Sequence, residues 1–291
     1  SILPADMPNA HGYTRSITVT APPGSIVNCT HPAPCGARGI TGYRIADCMF
    51  GALAKAVPDK VAADGAGGST LPTFGGYSQG AAYVFSECVM GTWGATSAHD
   101  GQEGVPHMAS NQSNVPIEMI EAGYPIRIER YGFVADTGGP GRYRGGLSVL
   151  REYRVLQPDT YFGVRSDKRD FPPYGLFGGQ SGAPSQNFVV SGQHEQLIPT
   201  LPVAAIVLER DDIFRHTMAG GGGYGDPLQR EPRLVLEDVL DGKVTAARAR
   251  TAYGVVIDAS RRPKVDPHAT ETLRGQLRRQ RDAAIASEAA G

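Results

Sequence analysis

Glycine and proline interrupt this chain so often that most of its regular elements must be short. The 291 residues include 38 glycines and 22 prolines, spread along the sequence rather than gathered into a repeat. Glycine supplies positive φ without steric cost and proline fixes φ, so this spacing argues for many tight turns joined by short strands. Disordered linkers can share that composition. Here, however, apolar runs such as Ala204-Ala205-Ile206-Val207-Leu208 lie between the breakers, so the chain reads as folded.

The length permits one large domain or two smaller ones. A hydrophobic fraction of 41% with 20% charged residues is ordinary for a globular protein. The formal net charge of −1 gives no overall pull toward nucleic acid or an acidic membrane. No apolar run approaches the ~20 residues of a membrane span, so neither partner is expected. With no signal-peptide pattern visible, the expected compartment is the cytoplasm. Cys29, Cys35, Cys48 and Cys88 form no dense framework, and a Cys29-x5-Cys35 spacing is not a usual zinc pattern. Buried thiols are the expectation for them.

The chain opens Ser-Ile-Leu-Pro and already alternates as a strand over residues 16–20, as if it started inside a domain. Residues 25–28 read as a second strand. Between residues 37 and 57, Ile40, Tyr43, Ile45, Cys48, Met49, Ala52, Leu53 and Ala56 make one apolar helical stripe, ended by Pro58. Residues 64–80 read as loop, 82–89 as strand, and a polar loop follows through Asn114. Strands over 124–134 and 147–156 are expected to pair as a hairpin, with further strands at 161–164, 188–190, 203–208 and 213–218. Residues 234–240 and 246–253 read as helices, with a strand at 255–257. An exposed helix basic at Arg278, Arg279 and Arg281 is expected over 270–290. The expected fold class is α+β, with β-rich mixed sheets, a few helices and a helical C-terminal tail. The expected division is a β-rich core over 1–230 and a small α/β and helical segment over 231–291.

Several familiar motifs fail on context. Gly76-Tyr77-Ser78-Gln79-Gly80 fits G-x-S-x-G, but a nucleophile elbow needs a buried aliphatic strand before the serine, and Leu71-Pro72-Thr73-Phe74-Gly75 is not one. Ser78 therefore reads as a loop residue. Gly220, Gly222 and Gly225 fit G-x-G-x-x-G, yet Asp226-Pro227 follows directly and no acidic residue stands at the dinucleotide-binding distance. The four consecutive glycines from Gly220 to Gly223 still require close backbone approach or positive φ. They serve either tight packing or a loop that faces substrate or partner. No G-x-x-x-x-G-K-[ST] string occurs, so ATP, if used, should be bound by another subunit. The densest polar group is His99, Asp100, Glu103 and His107, followed by Asn111, Asn114, Glu118 and Glu121. Imidazole and carboxylate together can trade protons or hold a divalent ion, though this spacing matches no standard metal motif.

A set of strings in order along the chain resembles the hydantoinase B/oxoprolinase family. These are Asn9-x-x-Gly12-x-x-Arg15, Ala21-Pro22-x-Gly24-Ser25, Pro32-Ala33-x-x-x-x-Arg38, Asp100-Gly101 and Asn111-x-x-Asn114-x-Pro116-x-Glu118. Residues 136–146 (D-T-G-G-P-G-R-Y-R-G-G) are close to the family's D-S-G-G-A-G-x-x-R-G-G. Residues 220–227 match its G-G-G-G-x-G-D-P, and Tyr253-Gly254-Val255 its terminal Y-G-V.

The resemblance implies a subunit that works with a hydantoinase A-type ATP-binding subunit, which would hold ATP and Mg. Family members open hydantoin or oxoproline rings with ATP hydrolysis, and relatives carboxylate acetone or acetophenone. The family's upstream half, with its N-D-P and G-x-x-H-x-x-D strings, is absent here. A divalent metal (Zn, Mn or Fe) would accordingly be held mainly by another chain carrying that N-terminal half, without which this chain is expected to be inactive. Within this chain Asp100, His107 and Glu118 are the catalytic candidates, and Arg38, Asn111 and Asn114 the substrate-binding ones. ATP-dependent hydrolysis of a cyclic amide is the leading reading. A ketone carboxylase subunit and a non-catalytic scaffold stand as alternatives.

Overall fold

The computed structural model describes residues 15, 17–36, 38–68, 70–258 and 260–289. The expected α+β class holds. In chain order, helix α1 (Arg38–Leu53) precedes strands β1 (Leu71–Ser78), β2 (Ala81–Ser86), β3 (Gly91–Thr92) and β4 (Glu103–Val105). Helix α2 (Ile117–Gly123) leads into β5 (Ile126–Val134), β6 (Ser148–Val155), β7 (Thr160–Arg165), β8 (Gln186–Ser191) and β9 (His194–Leu197). Strands β10 (Ile206–Leu208) and β11 (Ile213–Thr217) complete the β region, and helices α3 (Pro232–Leu240), α4 (Ala246–Tyr253) and α5 (Pro267–Ala289) follow.

Two antiparallel sheets carry the main core, ordered β10-β7-β1-β2 and β5-β6-β11-β8-β9. Alternation along each strand sends one set of side chains inward. Phe74, Phe85 and Phe162 of the first sheet thus meet Tyr153 and Phe214 of the second, with ring centroids 5.4 Å apart for Phe74–Tyr153 and 4.5 Å for Phe162–Phe214. The β5–β6 hairpin forms as the sequence implied. Across the opposite face of its sheet Glu152 pairs with Arg130 and Arg215, each at 2.6 Å, and those hydrogen bonds hold its carboxyl below the usual range.

A second kind of core is built from backbone. Gly138, Gly139, Gly145, Gly146 and Gly220–Gly223 are all buried. A methyl group on Gly139 would lie 2.7 Å from Gly223 N, and one on Gly220 would run into the Thr137 carbonyl. Hydrogen bonds lace these segments directly to one another: Gly139 N to Gly221 O at 2.8 Å, Gly221 N to Gly146 O at 2.9 Å, Ala95 N to Gly222 O at 2.9 Å, and Gly223 N to Gln180 O at 2.9 Å. The glycine run therefore serves tight packing, the first of the two roles its sequence allowed.

The C-terminal helices share a smaller cluster of Val235, Val244, Ala249, Ala252, Tyr253 and Val255. Thr245 caps α4, and Gly254 ends it in the left-handed region at φ 61°. Buried Arg230 grips Asp100 with both terminal nitrogens (2.6 and 2.7 Å) and also reaches Asp238 at 2.8 Å. The basic middle of α5 is partly tied down, since Arg281 pairs with Asp226 at 2.9 Å.

Several sequence expectations need correction. Residues 17–20 are exposed and form no strand (residue 16 lies outside the described residues), and residues 25–28 close a turn through a single Ser25–Asn28 bridge. The supposed loop over 64–80 contains β1, whose glycines and proline hid a strand with an alternating buried face. Ser78 ends β1, and Gln79 and Gly80, both at positive φ, make the two-residue hairpin turn to β2. The strand at 203–208 shortens to 206–208, that at 255–257 reduces to a bridge from Ile257 to Val265, the polar loop through Asn114 holds the short strands β3 and β4, and α2 and β9 went unread. The thiols are not buried: Cys29, Cys35 and Cys48 are exposed and Cys88 is half-buried.

One buried histidine makes stability pH-dependent. His216 is fully enclosed, its Nδ1 is 2.7 Å from Asn187 Oδ1, and burial pushes its pKa down to about 3. Below pH ~6.5 the unfolded chain takes a proton at this residue that the folded chain refuses until about pH 3. Its contribution is therefore complete above pH 6.5 and is lost as pH falls toward 3, by roughly 1.4 kcal/mol per pH unit. Urea unfolding at pH 7 and pH 5 should show that loss, and His216→Gln should flatten it. An equal slope in both proteins would exclude His216 as the cause.

Candidate functional site

The inner side of α1, three loops and the glycine-packed frame converge on one charged cluster. Arg44 and Asp47, three residues apart on α1, form an ion pair at 2.7 Å. Arg44 Nε lies 3.1 Å from Asp167 and its terminal nitrogens reach the carbonyls of Gly65 and Ala66. Lys168, held at φ 61°, pairs closely with Asp64 and stands 3.8 Å from Asp47. Asp64 is strapped to the frame, its amide donating to Tyr174 O and its carbonyl accepting from Gly222 N.

His107 completes the cluster. Its ring stacks on Tyr43 at 4.6 Å and packs against Gly67, where a methyl group would lie 2.5 Å from the imidazole Cδ2. The Ala109 amide donates to Nδ1, so the neutral ring carries its proton on Nε2 and donates it to Asp47 Oδ1 at 3.0 Å. Both nitrogens are occupied, and the imidazole orients Asp47. Burial pushes the Asp64 carboxyl up, against the opposing pull of Lys168. Burial, with Asp64 and Asp47 nearby, also raises the Tyr174 phenol to about 12.

Asp47, Asp64, His107 and Tyr174 line a cavity of about 20 Å³, the size of one water molecule. It shares Phe50, Ala62, Trp93 and Met108 with a wider recess of about 510 Å³, where Lys60, Thr96 and His99 add polar groups. That volume suits a small ring compound. A mostly apolar recess above a buried acid is an arrangement that can bind such a ring and move a proton beside it.

Of the residues singled out from the sequence, only His107 belongs to this cluster. Asp100 is engaged by Arg230 and by the Arg144 amide at 2.7 Å, and those bonds lower its pKa against the cost of burial. Asn114 accepts from Met90 N and donates to Tyr131. Arg38, Asn111 and Glu118 are exposed. Reading the sequence missed Arg44, Asp47, Asp64, Asp167, Lys168 and Tyr174. The available signal was two opposite charges, Arg44 and Asp47, spaced three apart in the middle of a mostly apolar helix. Among the described residues no group of three or more histidine, cysteine or acidic side chains is placed to hold a metal ion. Asp47 and Asp64 are already matched by Arg44 and Lys168, a poor donor set for a divalent cation. No helix among the described residues is long and apolar enough to cross a membrane.

The hydantoinase B/oxoprolinase profile matches residues 1–227. A protein from Pseudomonas sp. strain NS671, named for the B-type component of a D-/L-hydantoinase, is 34% identical over 92% of this chain and 45% of its own length. The crystal structure of the ATP-dependent caprolactamase from Pseudomonas jessenii is 27% identical with a TM-score of 0.75, over 88% of this chain and 46% of that one. A nucleotide-free acetone carboxylase structure shares the fold at 22% identity, with a TM-score of 0.69 over 79% of this chain and 35% of that one. The chain thus spans about half the length of the hydantoinase component it matches.

Proposed function

This chain belongs to the hydantoinase B/oxoprolinase family, and from that premise we propose that it is one part of an ATP-dependent complex that hydrolyses a cyclic amide. The observation that carries this reading is the buried Asp64–Lys168–Asp47 cluster beneath a recess of ring-amide size. ATP and Mg belong on a hydantoinase A-type partner, and any divalent metal on another chain. The residues here do not suit either, so no step is assigned through them.

In this chain's share of the work, Asp64 takes the proton of an attacking water, helped by a carboxyl whose burial keeps it more basic than usual. Lys168 fixes that carboxyl and limits the rise in its pKa. Arg44 and His107 fix Asp47 beside it. Asp100, gripped by Arg230, acts as a positioning residue for the loop before β4 rather than as an acid or base. The apolar walls at Phe50, Trp93 and Met108 hold the ring and limit water.

The complex purified with its companions should open hydantoin, 5-oxoproline or caprolactam only when ATP is present, with ATP consumed in step. ATP turnover that instead requires bicarbonate and a ketone would replace hydrolysis with carboxylation.

A further inference from the structure

The recess above the charged cluster is electrically lopsided. Asp47 and Asp64 line only the small cavity, and among the described residues no carboxylate lines the recess itself. Lys60 lines the recess and not the cavity, and among the described residues it is the one permanent charge there. The other two polar residues are engaged within their own loop. Thr96 Oγ1 accepts from the Ala98 and His99 amides at 3.2 and 3.1 Å, and His99 Nδ1 donates to the Asp100 carbonyl at 2.9 Å.

Lys60 stands on a fixed base. It closes the short turn Pro58–Lys60, where its amide donates to Val57 O at 3.0 Å and the Tyr224 hydroxyl donates to the Pro58 carbonyl at 3.2 Å. Val61, the next residue, is buried. Unlike Lys168, which Asp64 holds, Lys60 has no ion-pair or hydrogen-bond partner for its ammonium group among the described residues. On open surface an ion pair to such a lysine would contribute little. Beside the Phe50, Trp93 and Met108 walls a bound ring displaces water, the local dielectric falls, and the same pair is strengthened. The floor makes no competing offer to an anion, since Arg44 and Lys168 are already matched by Asp47 and Asp64.

We propose that Lys60 is the specificity-determining residue of the recess, selecting a ring amide that carries a carboxylate over the same ring without one. The carboxylate sits at Lys60 and the amide over Asp64. This rests on the ring-opening reading given above.

The test uses the complex purified with its companions and two matched pairs of rings: 5-oxoproline against 2-pyrrolidinone, and hydantoin-5-acetate against hydantoin. The wild-type complex should favour the acid of at least one pair by about tenfold or more in kcat/KM. Lys60→Met should lower that ratio about tenfold, through KM rather than kcat, and Lys60→Arg should keep most of it. Lys60→Glu should lower it further. Because Lys60 is exposed, the melting temperature should not move in any of the three. Equilibrium dialysis of each ring against the same complexes should give the same order in binding. A ratio unchanged in Lys60→Met would overturn the proposal, as would a wild-type complex with no preference for the acid of either pair. Turnover and binding are scored separately. A complex that binds the acid through Lys60 but opens no ring defeats the functional reading alone. One that opens rings with a charge preference indifferent to Lys60 defeats this inference alone, and neither binding nor turnover defeats both.

Discussion

Replacing Asp64 with asparagine is expected to slow ring opening by the assembled complex by roughly 10²- to 10⁴-fold, the usual range for loss of a positioned general base. The subunits should still assemble, because the side chain is enclosed within this chain and asparagine has nearly the same shape. The pH dependence gives a sharper signature. Burial raises the Asp64 pKa above 3.8, so the acid limb of the wild-type rate should lie above that value, with activity falling as the carboxyl takes up a proton. Lys168→Met removes the main opposing pull and should move that limb to still higher pH. Stability runs in the opposite sense. A raised carboxyl pKa favours the fold at low pH, and that contribution is lost as pH rises through the folded value. Wild-type rates in Asp64→Asn, with the limb unmoved, would leave the cluster a scaffold.

The second large effect is structural. Gly220→Ala puts a methyl group into the Thr137 carbonyl oxygen, at a place where backbone meets backbone with no flexible side chain to yield. A cost of about 3–5 kcal/mol is expected, above the usual overpacking penalty because several hydrogen-bonded segments must shift together. Gly132→Ala in β5 meets nothing within 4 Å and should cost less than ~1 kcal/mol. Urea midpoints of the two variants check this. A Gly220→Ala protein within ~1 kcal/mol of wild type would mean the glycine frame is looser than described.

These two variants also mark where the sequence could and could not be read. The β5–β6 hairpin, helices α1, α3, α4 and α5, and the family strings at residues 136–146 and 220–227 depend on local periodicity and turn chemistry, which a single chain displays directly. β1 was lost because Pro72, Gly75 and Gly76 sit in a strand whose inward Phe74 gives it meaning only against the opposite sheet. The cluster was lost for a related reason. Asp47, Asp64, His107 and Lys168 lie far apart in sequence and meet only because the glycine segments bring their loops together. The polar loop at 99–121 drew attention through density alone, and most of its members turned out exposed or bound to neighbouring backbone and arginine. On α1 the periodicity located the helix, but it could not say that Ile45, Met49 and Leu53 of its apolar stripe would stand exposed, because periodicity marks a face without saying what covers it.

The most direct test is an omission experiment. Ring opening and ATP consumption are followed for the companion subunits alone, for this chain alone, and for the reconstituted complex. The account predicts coupled turnover in the complex and none in either part. Undiminished ring opening by the companions without this chain would contradict it.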